Sequence, residues 1–78
     1  MSLPLAIASR DAARIAQREE RYIDAVRGWS LAVAFFDAAV MEALVPARTT
    51  QLVRQREHAA TMLALTRAVV DMRERLAL

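Results

Sequence analysis

Few side chains in this sequence are of the types that carry out catalysis or bind metal ions. The chain has no cysteine and one histidine, His58, alongside nine acidic residues. Carboxylate-rich metal centres in helical bundles use Glu-x-x-His motifs, and neither Glu20 nor Glu42 is followed by a histidine three residues later. Phosphate-binding loops, nucleophile elbows and zinc-protease motifs are also missing. We therefore expect no enzyme, no metal site and no cofactor, and we expect His58 to pack at a helix interface.

The most pronounced charge pattern is a row of arginines near the start of the chain. Its members are spaced four, four and three residues apart: Arg10, Arg14, Arg18 and Arg21. On a helix they share one side, where like charges repel and where cations near the N-terminus are disfavoured. Such a costly arrangement favours an acidic partner, so we expect Arg14, Arg18 and Arg21 to steer a partner protein. A nucleic-acid phosphate backbone is the alternative, weakened by a net charge of only +2.

An apolar seven-residue repeat predicts the helix that positions these arginines. Its first track comprises Ile15, Tyr22, Trp29, Phe36 and Ala43. A second track comprises Ala12, Glu19, Val26, Val33 and Val40, and a third comprises Ala25, Ala32 and Ala39. This spacing predicts a helix with one long seam that grips another helix. We expect the seam to join two copies of the chain through six side chains: Tyr22, Val26, Trp29, Val33, Phe36 and Val40.

The two prolines and the single glycine predict where the helices begin and end. Pro4 suits the first turn of a helix, and nothing but Gly28 interrupts the pattern before Pro46. We expect helix 1 over about 4–45, a turn near 46–49 and helix 2 over about 50–76, with a second helix that starts at Pro46 as the alternative. Gly28 is expected on the outer face as a weak point, and a break there, giving three helices, is the alternative.

Helix 2 carries a second apolar seam, which suggests how the chain reaches a stable fold. Its members are Met62, Leu65, Val69, Met72 and Leu76. A chain of 78 residues has a marginal core, and the apolar arcs are wider than one facing helix covers. We therefore expect one all-α domain over residues 1–78: a two-helix antiparallel hairpin that dimerises into a four-helix bundle, with Asp37 exposed or bound to an arginine of helix 2.

Phe35, Met62, Leu65 and Val69 are the candidates for binding a different protein, because buried apolar anchors dominate binding energy. The most apolar stretch, residues 29–45, contains Asp37 and Glu42, so a membrane span is disfavoured and the expected location is cytoplasmic. All eleven basic residues are arginines, which is typical of a GC-rich bacterial genome.

The residues from Gln55-Arg56-Glu57 through Val70 resemble the second helix of the small helical-hairpin co-chaperones of type III secretion needles, which starts polar and continues apolar. Phage or plasmid anti-activators that cap a regulator with a two-helix dimer are similar to the same extent. Both resemblances imply a protein that binds protein. The sequence thus predicts a non-catalytic interaction module, namely a small regulator, adaptor or chaperone-like subunit.

Overall fold

The computed structural model describes residues 1–77, which form three α-helices and no strand. The helices are α1 (Leu3–Arg18), α2 (Tyr22–Glu42) and α3 (Pro46–Ala77). Helices α1 and α3 both pack against α2 and make few contacts with each other. The molecule measures 49 × 16 × 15 Å, so its long dimension is close to the length of α3. The all-α prediction is confirmed. No helix within residues 1–77 combines the length and apolarity that crossing a bilayer requires.

Proline sets the boundary between α2 and α3. It disfavours helical backbone at the preceding residue, and Val45 accordingly lies outside both helices. The turn predicted near 46–49 is absent, because α3 begins at the alternative start, Pro46. The first position of a helix needs no N–H donor, so a proline is well suited to it. The amide of Thr49 then donates to the Val45 carbonyl at 3.0 Å and closes the first turn.

The long first helix expected over 4–45 is divided, and the division lies at Glu19–Arg21 instead of at Gly28. Glu20 has a φ of 59°, in the left-handed region. The amide of Glu20 donates to the Gln17 carbonyl at 3.1 Å, and the amide of Arg21 donates to the Ala16 carbonyl at 2.8 Å. This pair of bonds is the Schellman motif that ends many helices. The chain therefore reverses direction, and α1 folds back along α2.

Small residues allow α1 and α2 to approach closely. The buried ones are Ala6, Ala13 and Ala16 of α1, and Ala25, Gly28, Ala32 and Ala39 of α2. A Cβ atom on Gly28 would lie 2.7 Å from the Cβ atom of Ala13 and 2.9 Å from its Cα atom. The prediction that Gly28 lies on the outer face is wrong. The alanine track beside the main seam faces α1, and Gly28 lies on the same face as these alanines.

The main seam of α2 is covered by α3 of the same chain. Trp29 and Phe36 are fully buried, and the seam's other members, Tyr22, Val26, Val33 and Val40, are half-buried. In α3 the buried positions are Leu52, Ala59 and Thr66, seven residues apart. Arg56 of α3 donates to Asp37 of α2 at 2.8 Å, as expected for that carboxylate. The seam assigned to self-association thus holds a single chain together, since a third helix is available to cover it.

Substituting Gly28 with alanine is expected to destabilise the fold by about 1–3 kcal/mol, because the added methyl group overpacks the contact with Ala13. Helix propensity alone predicts a gain of about 1 kcal/mol for the same change. Urea unfolding followed by circular dichroism measures the difference. Ser30→Ala, at an exposed position of α2, is the control and should unfold at the wild-type midpoint or slightly above it. A Gly28→Ala variant as stable as this control would contradict the close approach.

Candidate protein-binding surface

A groove runs between α1 and α3, because these two helices touch α2 on different sides. Side chains bridge it at two levels. Nη1 of Arg10 donates to Oε1 of Gln55 at 3.5 Å. Further along, Nε1 of Trp29 donates to Oε1 of Gln17 at 3.1 Å, and the indole meets the ring of His58 edge-on, with 5.8 Å between centroids. His58 is thus an interface residue that packs on a tryptophan, as the sequence predicted.

One end of this α1–α3 groove combines an apolar floor with arginines. It forms a shallow, open pocket of about 530 Å³. The lining comprises Leu3, Ile7, Arg10, Phe36, Arg48, Gln51, Leu52, Arg54 and Gln55. Three of these residues are arginines and none is acidic. Because opposite charges favour association and set its orientation, this end of the groove suits a ligand with apolar groups and carboxylates.

Beyond the end of α1, α3 carries an apolar strip, named here the α3 strip: Met62, Leu65, Val69, Met72 and Leu76. These residues follow His58 at intervals of three and four, so they share its face of α3. Leu65, Met72 and Leu76 are 57%, 61% and 81% exposed. Helix α1 ends at Arg18, and no element of residues 1–77 covers these three side chains fully.

The break between α1 and α2 separates the row of arginines into two environments. Arg14 follows Arg10 by four residues and is exposed, as is Arg18 at the end of α1. Arg21 instead caps the start of α2, where it contacts Glu19 at 2.7 Å and Asp24 at 2.9 Å. Its hydrogen bonds to Glu19 and then to Asp24 raise the pKa of Arg21 above its ordinary value. Arg21 therefore holds the link between helices. It is less suited to steering a partner than Arg14, whose contact with Asp11 is longer, at 3.9 Å.

The remaining predicted anchors differ in exposure. Phe35 is half-buried and packs against the core, so it offers only part of its ring to a partner. Met62 and Val69 are also half-buried, whereas Leu65 is exposed. Sequence reasoning missed the residues that α1 contributes to the groove, Leu3 and Ile7. Their spacing relative to Arg10 and Arg14 was a detectable helical pattern, but only the reversal at Glu20 brings that face beside α3.

At the far end of the molecule, α3 contacts the start of α2. The guanidinium carbon of Arg73 lies 4.5 Å from the centre of the Tyr22 ring, a cation–π arrangement. The groove beside this contact has a volume of about 320 Å³ and includes Glu20 and Val70. This contact attaches the last turns of α3 to the link between α1 and α2.

Within residues 1–77, no group of three or more histidine or acidic side chains is placed to hold a metal ion. Comparison with protein families, with characterised proteins and with solved structures finds no match to this chain. The function of the chain must therefore be inferred from the geometry of its surface.

Glu42 ties the end of α2 to the start of α1. The Ser2 amide donates to one carboxylate oxygen at 3.0 Å and the Ser2 hydroxyl donates to the other at 2.7 Å. The hydroxyl bond, followed by the amide bond, lowers the pKa of Glu42 below its ordinary value of 4.5. This contact lies at the groove end that includes Leu3 and Arg48.

The Glu42 contact predicts that part of the stability of the fold is lost at low pH. A carboxylate whose pKa is lowered by folding stabilises the native state above its unfolded pKa, and this contribution is lost as the pH falls through the folded value. Glu42→Gln removes it. The urea midpoint of wild type should therefore exceed that of Glu42→Gln at pH about 7, and the gap should narrow at pH about 3. A gap that stays constant between these pH values would contradict the assigned bonds.

Proposed function

We propose that this chain is a non-catalytic protein–protein interaction module that self-associates and binds a partner protein through its helix faces. In this proposal it serves as a small regulator, adaptor or chaperone-like subunit in the bacterial cytoplasm. The single observation that supports it most is the exposure of the α3 strip at Leu65, Met72 and Leu76. Contiguous apolar surface of this kind typically marks a site of interaction.

The α3 strip has the spacing of a surface that receives a helix. Its residues recur every three or four positions over Met62 to Leu76, which is about 21 Å of helix at about 1.5 Å per residue. Burying an exposed leucine or methionine side chain is worth roughly 1.5–3 kcal/mol. Within residues 1–77 the large side chains that are fully buried are Trp29 and Phe36. Burying three more apolar side chains would therefore be a substantial favourable contribution.

The arginines beside the groove support a partner with acidic character. Arg10, Arg48 and Arg54 line the cavity, and Arg14 extends the same wall of α1. Charged residues at the rim of an interface act mainly on the association rate and on the choice of partner. An amphipathic helix with apolar and acidic positions would thus place apolar side chains on the floor of the groove and carboxylates on the arginines.

Two matched double variants test whether the α3 strip carries association. Leu65→Glu with Met72→Glu adds two charges to the strip and should lower the mass measured by light scattering after size exclusion, while helicity is retained. Leu31→Glu with Met41→Glu changes the same residue types on α2, where the side chains are 52% and 86% exposed. This control should keep the wild-type mass over a hundredfold dilution. Equal effects of both pairs would contradict a role specific to the strip.

A further inference from the structure

We infer that two copies of the chain associate through the open part of the α3 strip, with their α3 helices antiparallel and overlapping near the C-terminal ends. The occupant of the strip is therefore a second copy of this chain. The inference rests on the self-association in the proposed function and specifies its surface and its symmetry. Three features support it: the position at which α1 ends, the spacing of the strip and the charges around it.

Helix α1 covers only the first part of the α3 face that carries the strip. The two helices run in the same direction, since each is antiparallel to α2. Arg10 contacts Gln55, and this offset of 45 residues places Arg18, the last residue of α1, level with residue 63 of α3. Gln55 and His58 continue the line of the strip towards the start of α3. The same face is therefore covered by α1 up to about residue 63 and open beyond it.

The end of α1 determines the direction in which a second α3 can lie on this face. A twofold axis parallel to the helices would align the two α3 helices in register. The first half of the second α3 would then run through the space that α1 occupies beside residues 46–63. A twofold axis perpendicular to the helices makes them antiparallel, so only the parts of α3 beyond α1 overlap and the two α1 helices lie far apart. Twofold pairing of the strips is thus possible only in the antiparallel sense.

The open part of the strip has the same spacing in both directions. Its members Leu65, Val69, Met72 and Leu76 are separated by four, three and four positions. A surface that pairs with itself across a twofold axis must match its own reverse. In the antiparallel pair, Leu65 lies opposite Leu76 of the second copy, and Val69 lies opposite Met72 of the second copy. Each exposed apolar side chain of the strip therefore receives an apolar partner.

The charges around the strip fit a second copy. The strip itself contains no charged residue, so it has no group that would select an acidic or a basic partner. The nearest charges are those of Arg73 and Arg75, which follow strip residues by four and three positions. In the antiparallel pair, Arg73 is level with Ala68 and Arg75 with Thr66 of the other copy, so like charges do not meet, whereas a parallel pair would bring them together. The arginine-lined pocket lies at the opposite end of the molecule and stays free for an acidic partner.

Cross-linking tests the antiparallel arrangement. The chain has no cysteine, so the variants Val69→Cys and Leu76→Cys each carry one thiol per copy. In the antiparallel pair the two copies of position 69 are offset by about 4.5 Å along the helices, and those of position 76 by about 16 Å. A short bis-maleimide reagent is applied to the dimer fraction, collected by size exclusion at high protein concentration. On a denaturing gel, we expect Val69→Cys chains joined in pairs and Leu76→Cys chains mostly single.

Two other results would overturn the inference while leaving self-association in place. Pairs formed as efficiently by Leu76→Cys as by Val69→Cys would mean that the strips do not meet in the antiparallel sense. A dimer fraction in which neither variant gives pairs would mean that the interface lies outside the strip. Circular dichroism of both variants checks that their helices are retained.

The length of the dimer provides a test that needs no substitution. One copy is 49 Å long, and two copies whose α3 ends overlap by about 20 Å span about 80 Å. Small-angle X-ray scattering of the wild-type dimer measures this longest dimension. Packing of two copies side by side would keep it close to the length of one copy and would overturn the inference alone. A chain that stays monomeric at every concentration would overturn both the inference and the proposed self-association.

Discussion

The close approach of α1 to α2 at Ala13 and Gly28 is the constraint on which the rest of the structure depends. It requires a glycine in the middle of a helix and alanines around it, and it leaves no room for one further methyl group. Once α1 occupies this side of α2, the larger side chains Trp29 and Phe36 lie where α1 and α3 come together. The groove between α1 and α3 is therefore a consequence of placing small residues on one face of α2 and large ones on the next.

Trp29 connects the three helices into one unit. Its indole N–H is satisfied by Gln17 of α1, and its ring packs on His58 of α3, so one residue of α2 fixes the position of both neighbours. A buried tryptophan needs such a partner for its N–H group. Because the core is small, much apolar surface stays outside it, notably on the α3 strip. The exposed strip and the small core both result from how the apolar residues are distributed along the helices.

The sequence predicted the class of fold and the second helical boundary better than it predicted how the first half of the chain folds. Apolar periodicity and Pro46 were sufficient for an all-α chain with a break before α3. The reversal at Glu19–Arg21 was not detectable, because no turn-forming residue marks it and Glu20 is forced into its conformation by packing elsewhere. The position of Gly28 was mispredicted for the same reason. Its low helix propensity describes an isolated helix, whereas in the fold Gly28 makes a tertiary contact. The candidate surface was predictable only in part: the α3 strip follows from spacing within one helix, whereas the cavity end of the groove exists only after the chain reverses.

The same alanines that permit close packing also limit the hydrophobic stabilisation of the α1–α2 contact. An alanine side chain removes little apolar area from water compared with leucine or phenylalanine, so the interface derives less free energy from the hydrophobic effect than its closeness suggests. The link between α1 and α2 opposes this contact, because Glu20 has a left-handed backbone conformation and the residues of the link favour helix. The contact that shapes the folded chain is therefore stabilised more by close steric fit than by the apolar area that it buries. The arrangement of α1 on α2 thus depends on a narrow balance between close packing and the strain of the link between the two helices.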